Sequence, residues 1–147
     1  MNNGEQAAEY MRGGLNCSQS IVKAYASALG VEEKAAVKMA AAFGGGFGRC
    51  GHVCGALSGA GIVIGAAFGN SDPADTAARD KAYAEMQKLL DAFQQEHGTV
   101  LCRELTGFNL RDPESMKRAR EQGVFADKCP AFLKTTARIL DGILAGK

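Results

Sequence analysis

The stretch from Gly44 to Gly69 constrains the fold most, because it holds ten of the chain's 19 glycines. Glycine weakens helices and strands and is retained where the backbone must turn or be approached closely. The run from Phe43 to Arg49, Phe-Gly-Gly-Gly-Phe-Gly-Arg, predicts a loop. A Gly/Ala-rich helix is predicted next, from Gly51 to Phe68. Glycine recurs at every fourth position along one face of that helix, at Gly51, Gly55 and Gly59. This bare face predicts close approach by another helix or by a cofactor.

The remainder of the chain also reads as helical, because no run of β-branched or aromatic residues alternates with polar ones. Asn16, Asp72 and Asp112 are predicted helix caps, the last two followed by proline at the first helical position. Helices are predicted over residues 5–12, 17–30, 32–42, 51–68, 73–98, 113–122 and 128–145. At 147 residues, the chain is expected to form one domain over residues 1–147. The predicted fold is an all-α, single-domain bundle of five to seven helices around a central Gly/Ala-rich helix.

Charge excludes two classes of partner. Lys and Arg total 17 against 16 Asp and Glu, so the net charge of +1 gives no field that would attract nucleic acid or an anionic membrane. The segment from Cys50 to Ser71 carries no charged residue, yet it is rich in Gly and Ala rather than Leu. A central buried helix therefore accounts for it better than a transmembrane span. The N-terminus lacks the basic and apolar regions of a signal peptide, which predicts a cytoplasmic protein.

The chain contains five cysteines, and these are its main candidates for functional residues. In a reducing compartment an odd number of thiols is not expected to form a disulfide framework, so metal binding or redox chemistry becomes the leading interpretation. Cys50 and Cys54 form a C-x-x-x-C pair, and no C-x-x-C occurs. This spacing excludes zinc-ribbon, thioredoxin and covalent-haem patterns.

Three cysteines have positions that favour a shared site. Cys17 and Cys129 stand at predicted helix starts and head the inward-facing stripes, while Cys54 is predicted one turn into the Gly/Ala-rich helix. A helix N-terminus favours thiolate over thiol. The competing interpretation is that each cysteine is a small buried hydrophobic residue. Whether Cys50 belongs to the site is left open, because its spacing from Cys54 suits a shared metal better than a disulfide.

The glycine loop also spells G-x-G-x-x-G over residues 46–51. A dinucleotide-binding loop follows a strand, whereas residues 38–42 read as helix, so that interpretation is weak. Successive glycine N–H groups can still bind anionic sulfur atoms of a cluster. His52 and His97 lack a paired ligand and are expected to be structural or solvated. The predicted cofactor-binding glycines are Gly44, Gly45, Gly46, Gly48, Gly55 and Gly59.

The chain has an early Asn-Cys, a glycine loop, the sequence Cys-Gly-Ala-Leu-Ser-Gly from residue 54, and two later single cysteines. This combination resembles the C_GCAxxG_C_C family of redox-active proteins. The likeness spans nearly the whole chain. It implies that the family's cysteines correspond to Cys17, Cys54, Cys102 and Cys129, with Cys50 as an addition. The family is also similar to the non-haem part of split-Soret cytochromes, which implies an iron–sulfur cluster as cofactor.

Three functions follow as hypotheses. The first is a small redox protein in which Cys17, Cys54, Cys102 and Cys129 hold an iron–sulfur cluster, most simply [2Fe–2S], for electron transfer; Cys50 is a further candidate ligand. The second uses the same thiols without metal as a dithiol/disulfide couple. The third is a structural four-cysteine zinc site, against which the long spacings argue. We expect a redox partner protein whose identity the sequence does not reveal, and we leave a homodimer open.

Overall fold

A computed structural model describes residues 1–147, and eight α-helices account for most of them. Two single 3₁₀ turns, Ser27–Leu29 and Ala41–Phe43, follow the second and third helices. The eight helices are α1 Asn3–Arg12, α2 Cys17–Ala26, α3 Glu33–Met39, α4 Gly55–Phe68, α5 Thr76–His97, α6 Cys102–Thr106, α7 Pro113–Glu121 and α8 Val124–Ala145. The predicted all-α fold is confirmed. The count rises to eight because α6, only five residues long, is too short to show a helical period in the sequence.

Capping residues explain where most of the helices begin. The side chain of Asn16 accepts a hydrogen bond from the N–H of Gln19, as predicted, and the side chain of Asp112 does the same for Ser115. The prediction that Asp72 caps a helix is wrong. Asp72 accepts from the N–H of Ala74 in a turn, and the cap of α5 is Asp75, three residues later.

The glycine loop is longer than predicted, because α4 begins at Gly55 rather than Gly51. Glycines 45, 46, 48 and 51 all have positive φ, a conformation that glycine adopts without a steric penalty. Phe47 and Arg49 share this left-handed conformation, with φ of 65° and 67°. No α-helix can include such a run of residues, so the loop continues to Val53.

Helix α4 lies at the centre of the bundle and packs against α2, α5 and α8. Gly59 allows the closest contact, because a Cβ atom there would lie 2.7 Å from the carbonyl oxygen of Ser18 in α2. The predicted close approach of a helix to this glycine face is therefore present at Gly55 and Gly59, whereas Gly51 lies in the loop. The fully buried side chains around α4 include Ile21, Leu57, Ile64, Leu89, Phe93, Leu133 and Leu140. No helix of the structure has both the length and the apolar character needed to cross a membrane.

Helix α8 begins at Val124, earlier than the predicted start near Lys128. Proline is favoured in the first turn of a helix, and for that reason the sequence placed the start beside Pro130. In the structure Pro130 is inside the helix, after Gly123 has ended the preceding segment in a left-handed conformation. Cys129 consequently lies in the second turn of α8 rather than at its N-terminus.

Candidate functional site

Four of the five cysteines line one cavity of about 690 Å³. They reach it from four different elements. Cys17 is the first residue of α2, Cys54 precedes α4, Cys102 is the first residue of α6, and Cys129 comes from the second turn of α8. Cys54, Cys102 and Cys129 are buried and Cys17 is half-buried. The chain thus concentrates thiols that are as much as 112 residues apart in the sequence.

A short antiparallel bridge joins the segments that carry Cys54 and Cys102. Val53 pairs with Leu101. The N–H of Cys54 donates to the carbonyl of Val100 at 2.8 Å, and the N–H of Cys102 donates to the carbonyl of His52 at 2.6 Å. Sequence reasoning missed this bridge, because a single pair of residues has no alternating pattern.

Glycines bring α2 and its cysteine onto the loop. A Cβ atom at Gly55 would lie 3.2 Å from the Cβ of Cys17, and one at Gly44 would lie 2.5 Å from the side-chain nitrogen of Asn16. Any larger residue at Gly44 would therefore displace Asn16, the cap that starts α2 immediately before Cys17. The Cys17 sulfur also contacts the sulfur of Met11, at 3.8 Å.

Cys17 and Cys129 form an asymmetric pair. Interaction with the Cys129 side chain raises the pKa of Cys17; burial and the negative charges of the neighbouring cysteines raise it further. The same interaction lowers the pKa of Cys129, although burial opposes this effect. The two thiols therefore differ in how readily they ionise, and Cys129 is the one whose pKa is lowered.

Cys54 and Cys102 are held as neutral thiols. Burial raises the pKa of Cys54 to about 12, although the N–H groups of Ala56 and Leu57 at the start of α4 act in the opposite direction. Burial, and then the charge of Cys129, raise the pKa of Cys102 to about 11. The helix N-terminus therefore does not outweigh desolvation at Cys54.

Cys50 is separate from the other four thiols. It is half-buried in the loop, does not line the cavity, and its sulfur lies 3.9 Å from the carbonyl of Gly48. Of the predicted cofactor-binding glycines, Gly44, Gly45, Gly48 and Gly55 line the cavity, whereas Gly46 and Gly59 do not. Gly46 instead packs against the Cβ of Cys102 and the backbone of His52.

Neither histidine lines the cavity. The backbone of His52 forms part of the bridge to Cys102, and its ring is near that of Phe47. His97 shares a hydrogen bond of 2.9 Å with Thr135 and stacks against Phe93 and Phe132. The expected structural role therefore agrees with the position of His97, at the end of α5.

Whether these four cysteines suit a metal centre depends on the type of their ligand atoms and on how closely those atoms lie together. Four cysteines facing one cavity supply the ligand type and number that iron–sulfur clusters and structural zinc require. The spacing is less favourable, because no three His, Cys, Asp or Glu side chains come close enough together to hold a common metal ion. Loading a metal would require the thiol side chains to move inward. Metal binding by these cysteines stays a prediction.

Arg49 and Arg120 line the same cavity as the four thiols, a position that the sequence did not predict for either residue. Arg49 comes from the glycine loop and Arg120 from α7. Arg49 adjoins Cys50 in the sequence, but no sequence signal brings Arg49 and Arg120 to one cavity, because they come from separate elements.

Comparison with known proteins gives one match. Residues 15–143 match a family model described as "Putative redox-active protein (C_GCAxxG_C_C)". No curated protein and no solved structure matches the chain.

Proposed function

Because the chain belongs to the C_GCAxxG_C_C family of redox-active proteins, we propose that it exchanges electrons through its clustered cysteines, as a dithiol/disulfide couple between Cys17 and Cys129. The observation that carries this proposal is that Cys17 and Cys129 line one cavity, where each shifts the pKa of the other in the opposite direction. A dithiol couple needs one thiolate that attacks a disulfide and a second thiol close enough to resolve the mixed disulfide.

The two residues have different roles in such a couple. Cys129, the thiolate, attacks a sulfur of the incoming disulfide and forms a mixed disulfide, which releases one thiolate. Cys17 then attacks the sulfur of Cys129 and releases the second half of the substrate. Two electrons leave the protein, and the disulfide between Cys17 and Cys129 is the oxidised product.

Cys54 and Cys102 stay protonated in this scheme and line the same cavity as the pair. Their raised pKa values make them poor nucleophiles near neutral pH. The couple suits a reducing compartment, and we therefore propose a cytoplasmic location.

An iron–sulfur cluster is the second candidate, favoured by the convergence of four thiols on one cavity. Cys17, Cys54, Cys102 and Cys129 would hold it, and a bound cluster would supply one-electron transfer. The glycine loop and the buried surroundings would shield it from water. Zinc would use the same four thiols for a structural purpose only. We rank both metal candidates below the dithiol couple, because no three potential ligand side chains lie close together.

One set of measurements on anaerobically purified protein separates these candidates. The dithiol couple predicts no stoichiometric iron, sulfide or zinc, five free thiols, and the loss of two thiols per chain upon oxidation. Cys17→Ser and Cys129→Ser should each prevent this intramolecular oxidation, while Cys50→Ser should still lose two thiols. Stoichiometric iron and sulfide with visible charge-transfer bands would overturn the dithiol proposal in favour of the cluster. Stoichiometric zinc without such bands would favour the structural metal site.

A further inference from the structure

The mouth of the cysteine cavity carries an excess of positive charge. Arg49 and Arg120 line both this cavity and an adjoining cleft of about 420 Å³. The cleft adds Arg111, Lys117 and a single carboxylate, Glu121. Glu121 lies 4.0 Å from Lys117, so the nearby negative charge is already paired with a lysine.

The arginines at the mouth have no protein partner. The guanidinium groups of Arg49, Arg111 and Arg120 form no ion pair and no hydrogen bond, whereas Arg79 and Arg138 elsewhere on the surface are paired with carboxylates. No Asp or Glu lines the cysteine cavity, so its two guanidinium groups give it an uncompensated positive charge. Their arrangement therefore favours a ligand with negative charge.

The backbone at Arg49 has an unusual conformation that its neighbours hold in place. Arg49 is in the left-handed region, with φ of 67°, which is unfavourable for any residue with a side chain. Its N–H donates to the carbonyl of Gly44 at 3.0 Å, and a Cβ atom at Gly45 would lie 2.8 Å from the Cα of Arg49. Strained residues held by their surroundings are concentrated at functional sites.

We propose that Arg49 and Arg120 bind the carboxylate groups of a small anionic disulfide, which is the oxidant of the Cys17/Cys129 dithiol. Guanidinium groups bind carboxylates with two parallel hydrogen bonds, and the cavity volume lies within the usual range for small-molecule sites. The inference rests on the proposed function, since it names the substrate class of that site.

The reaction is balanced as a two-electron exchange. The Cys129 thiolate forms a bond to one substrate sulfur, the substrate S–S bond breaks, and the leaving thiolate takes the proton of Cys17. The Cys17 thiolate then attacks the Cys129 sulfur and displaces the remaining half as a thiolate. The dithiol is oxidised to a disulfide, and the substrate is reduced to one thiol and one thiolate.

Oxidation rates with two disulfides of opposite charge test the inference. Reduced protein carrying Cys50→Ser is mixed with 3,3′-dithiodipropionate, a dianion, or cystamine, a dication. Arg49→Gln and Arg120→Gln should each slow oxidation by the dianion by about tenfold and leave oxidation by cystamine unchanged or faster. Arg118→Gln is the matched control. Arg118 is an exposed arginine of α7, the helix that carries Arg120. It lines neither the cysteine cavity nor the adjoining cleft, so its removal should change neither oxidation rate.

Suberate, in which two methylene groups replace the two sulfurs, reports binding without chemistry. It should bind to the unsubstituted protein and bind more weakly to Arg49→Gln. Oxidation by both disulfides with the same rate in all three arginine variants would overturn the inference and leave the proposed function standing. Binding of suberate without oxidation by either disulfide would overturn the proposed function, and with it the identification of the anion as a disulfide. Arginine-dependent reaction with an acidic protein disulfide, but not with dithiodipropionate, would also overturn the inference, in favour of a protein partner.

Discussion

The contact between α2 and α4 at Gly59 yields the most quantitative prediction. In Gly59→Ala the new Cβ atom would lie 2.7 Å from the carbonyl oxygen and 3.0 Å from the Cα of Ser18. Both are backbone atoms, so the two helices must move apart. Overpacking of this kind costs about 1–3 kcal/mol, and the better helix propensity of alanine returns about 1 kcal/mol. Gly59→Ala should therefore lower the free energy of unfolding by up to about 2 kcal/mol.

Gly65→Ala supplies the control within the same helix. A Cβ atom at Gly65 meets no atom within 4 Å, so only the gain of about 1 kcal/mol should appear. Urea unfolding of the reduced proteins, with unchanged slope, measures both values as shifts of the midpoint. Because α2 carries Cys17, Gly59→Ala should also slow oxidation of the dithiol, and Gly65→Ala should not. Equal stabilisation by the two substitutions would refute the packing that the structure assigns to α2 and α4.

Three further predictions concern ionisation and buried polar contacts. In a Cys50→Ser background, ultraviolet thiolate absorbance should show that the pKa of Cys129 is below the usual thiol range, and Cys17→Ala should raise that pKa by removing the interaction with Cys17. An unchanged titration would contradict the pairing. The free energy of unfolding should fall as pH rises from about 9 towards 12. Thiols of the unfolded chain ionise with a pKa of about 8.5, whereas in the folded protein the pKa of Cys54 is about 12 and that of Cys102 is about 11. Rising pH therefore favours the unfolded state. Cys54→Ala should make this decline shallower in urea titrations at a series of pH values, and an identical slope would argue against the raised pKa. Tyr25→Phe removes a hydrogen bond of 2.6 Å from the Tyr25 hydroxyl to Asp141 and should cost about 1.5–3 kcal/mol, whereas the exposed Tyr83→Phe should stay within about 0.5 kcal/mol of the parent in the same urea assay.

Local chemistry made much of the fold predictable. Asn16 and Asp112 mark helix starts because their short polar side chains satisfy free N–H groups. Where two signals competed, the sequence did not decide between them. Asp72-Pro73 resembled a helix start more closely than Asp75, and Pro130 suggested a first turn although it lies inside α8.

The sequence predicted which residues belong to the site better than it predicted how those residues are arranged. Glycines at positions 44 and 55 signalled close approach, and that approach places α2 and Cys17 against the loop. The bridge that positions Cys102, and the pairing of Cys17 with Cys129, depend on tertiary contacts that leave no periodic pattern. Arg49 and Arg120 illustrate the same limit, because they come from separate elements and reach one cavity only in the folded chain.

Mass-spectrometric mapping of the oxidised protein identifies which two cysteines form the disulfide. Cys50→Ser protein is equilibrated in a thiol/disulfide buffer of rising potential, trapped by alkylation and digested. A dithiol couple between Cys17 and Cys129 predicts a single intramolecular link between the peptides that contain these two residues, with Cys54 and Cys102 alkylated. A link between Cys54 and Cys102 instead, or four free thiols at every potential, would contradict it.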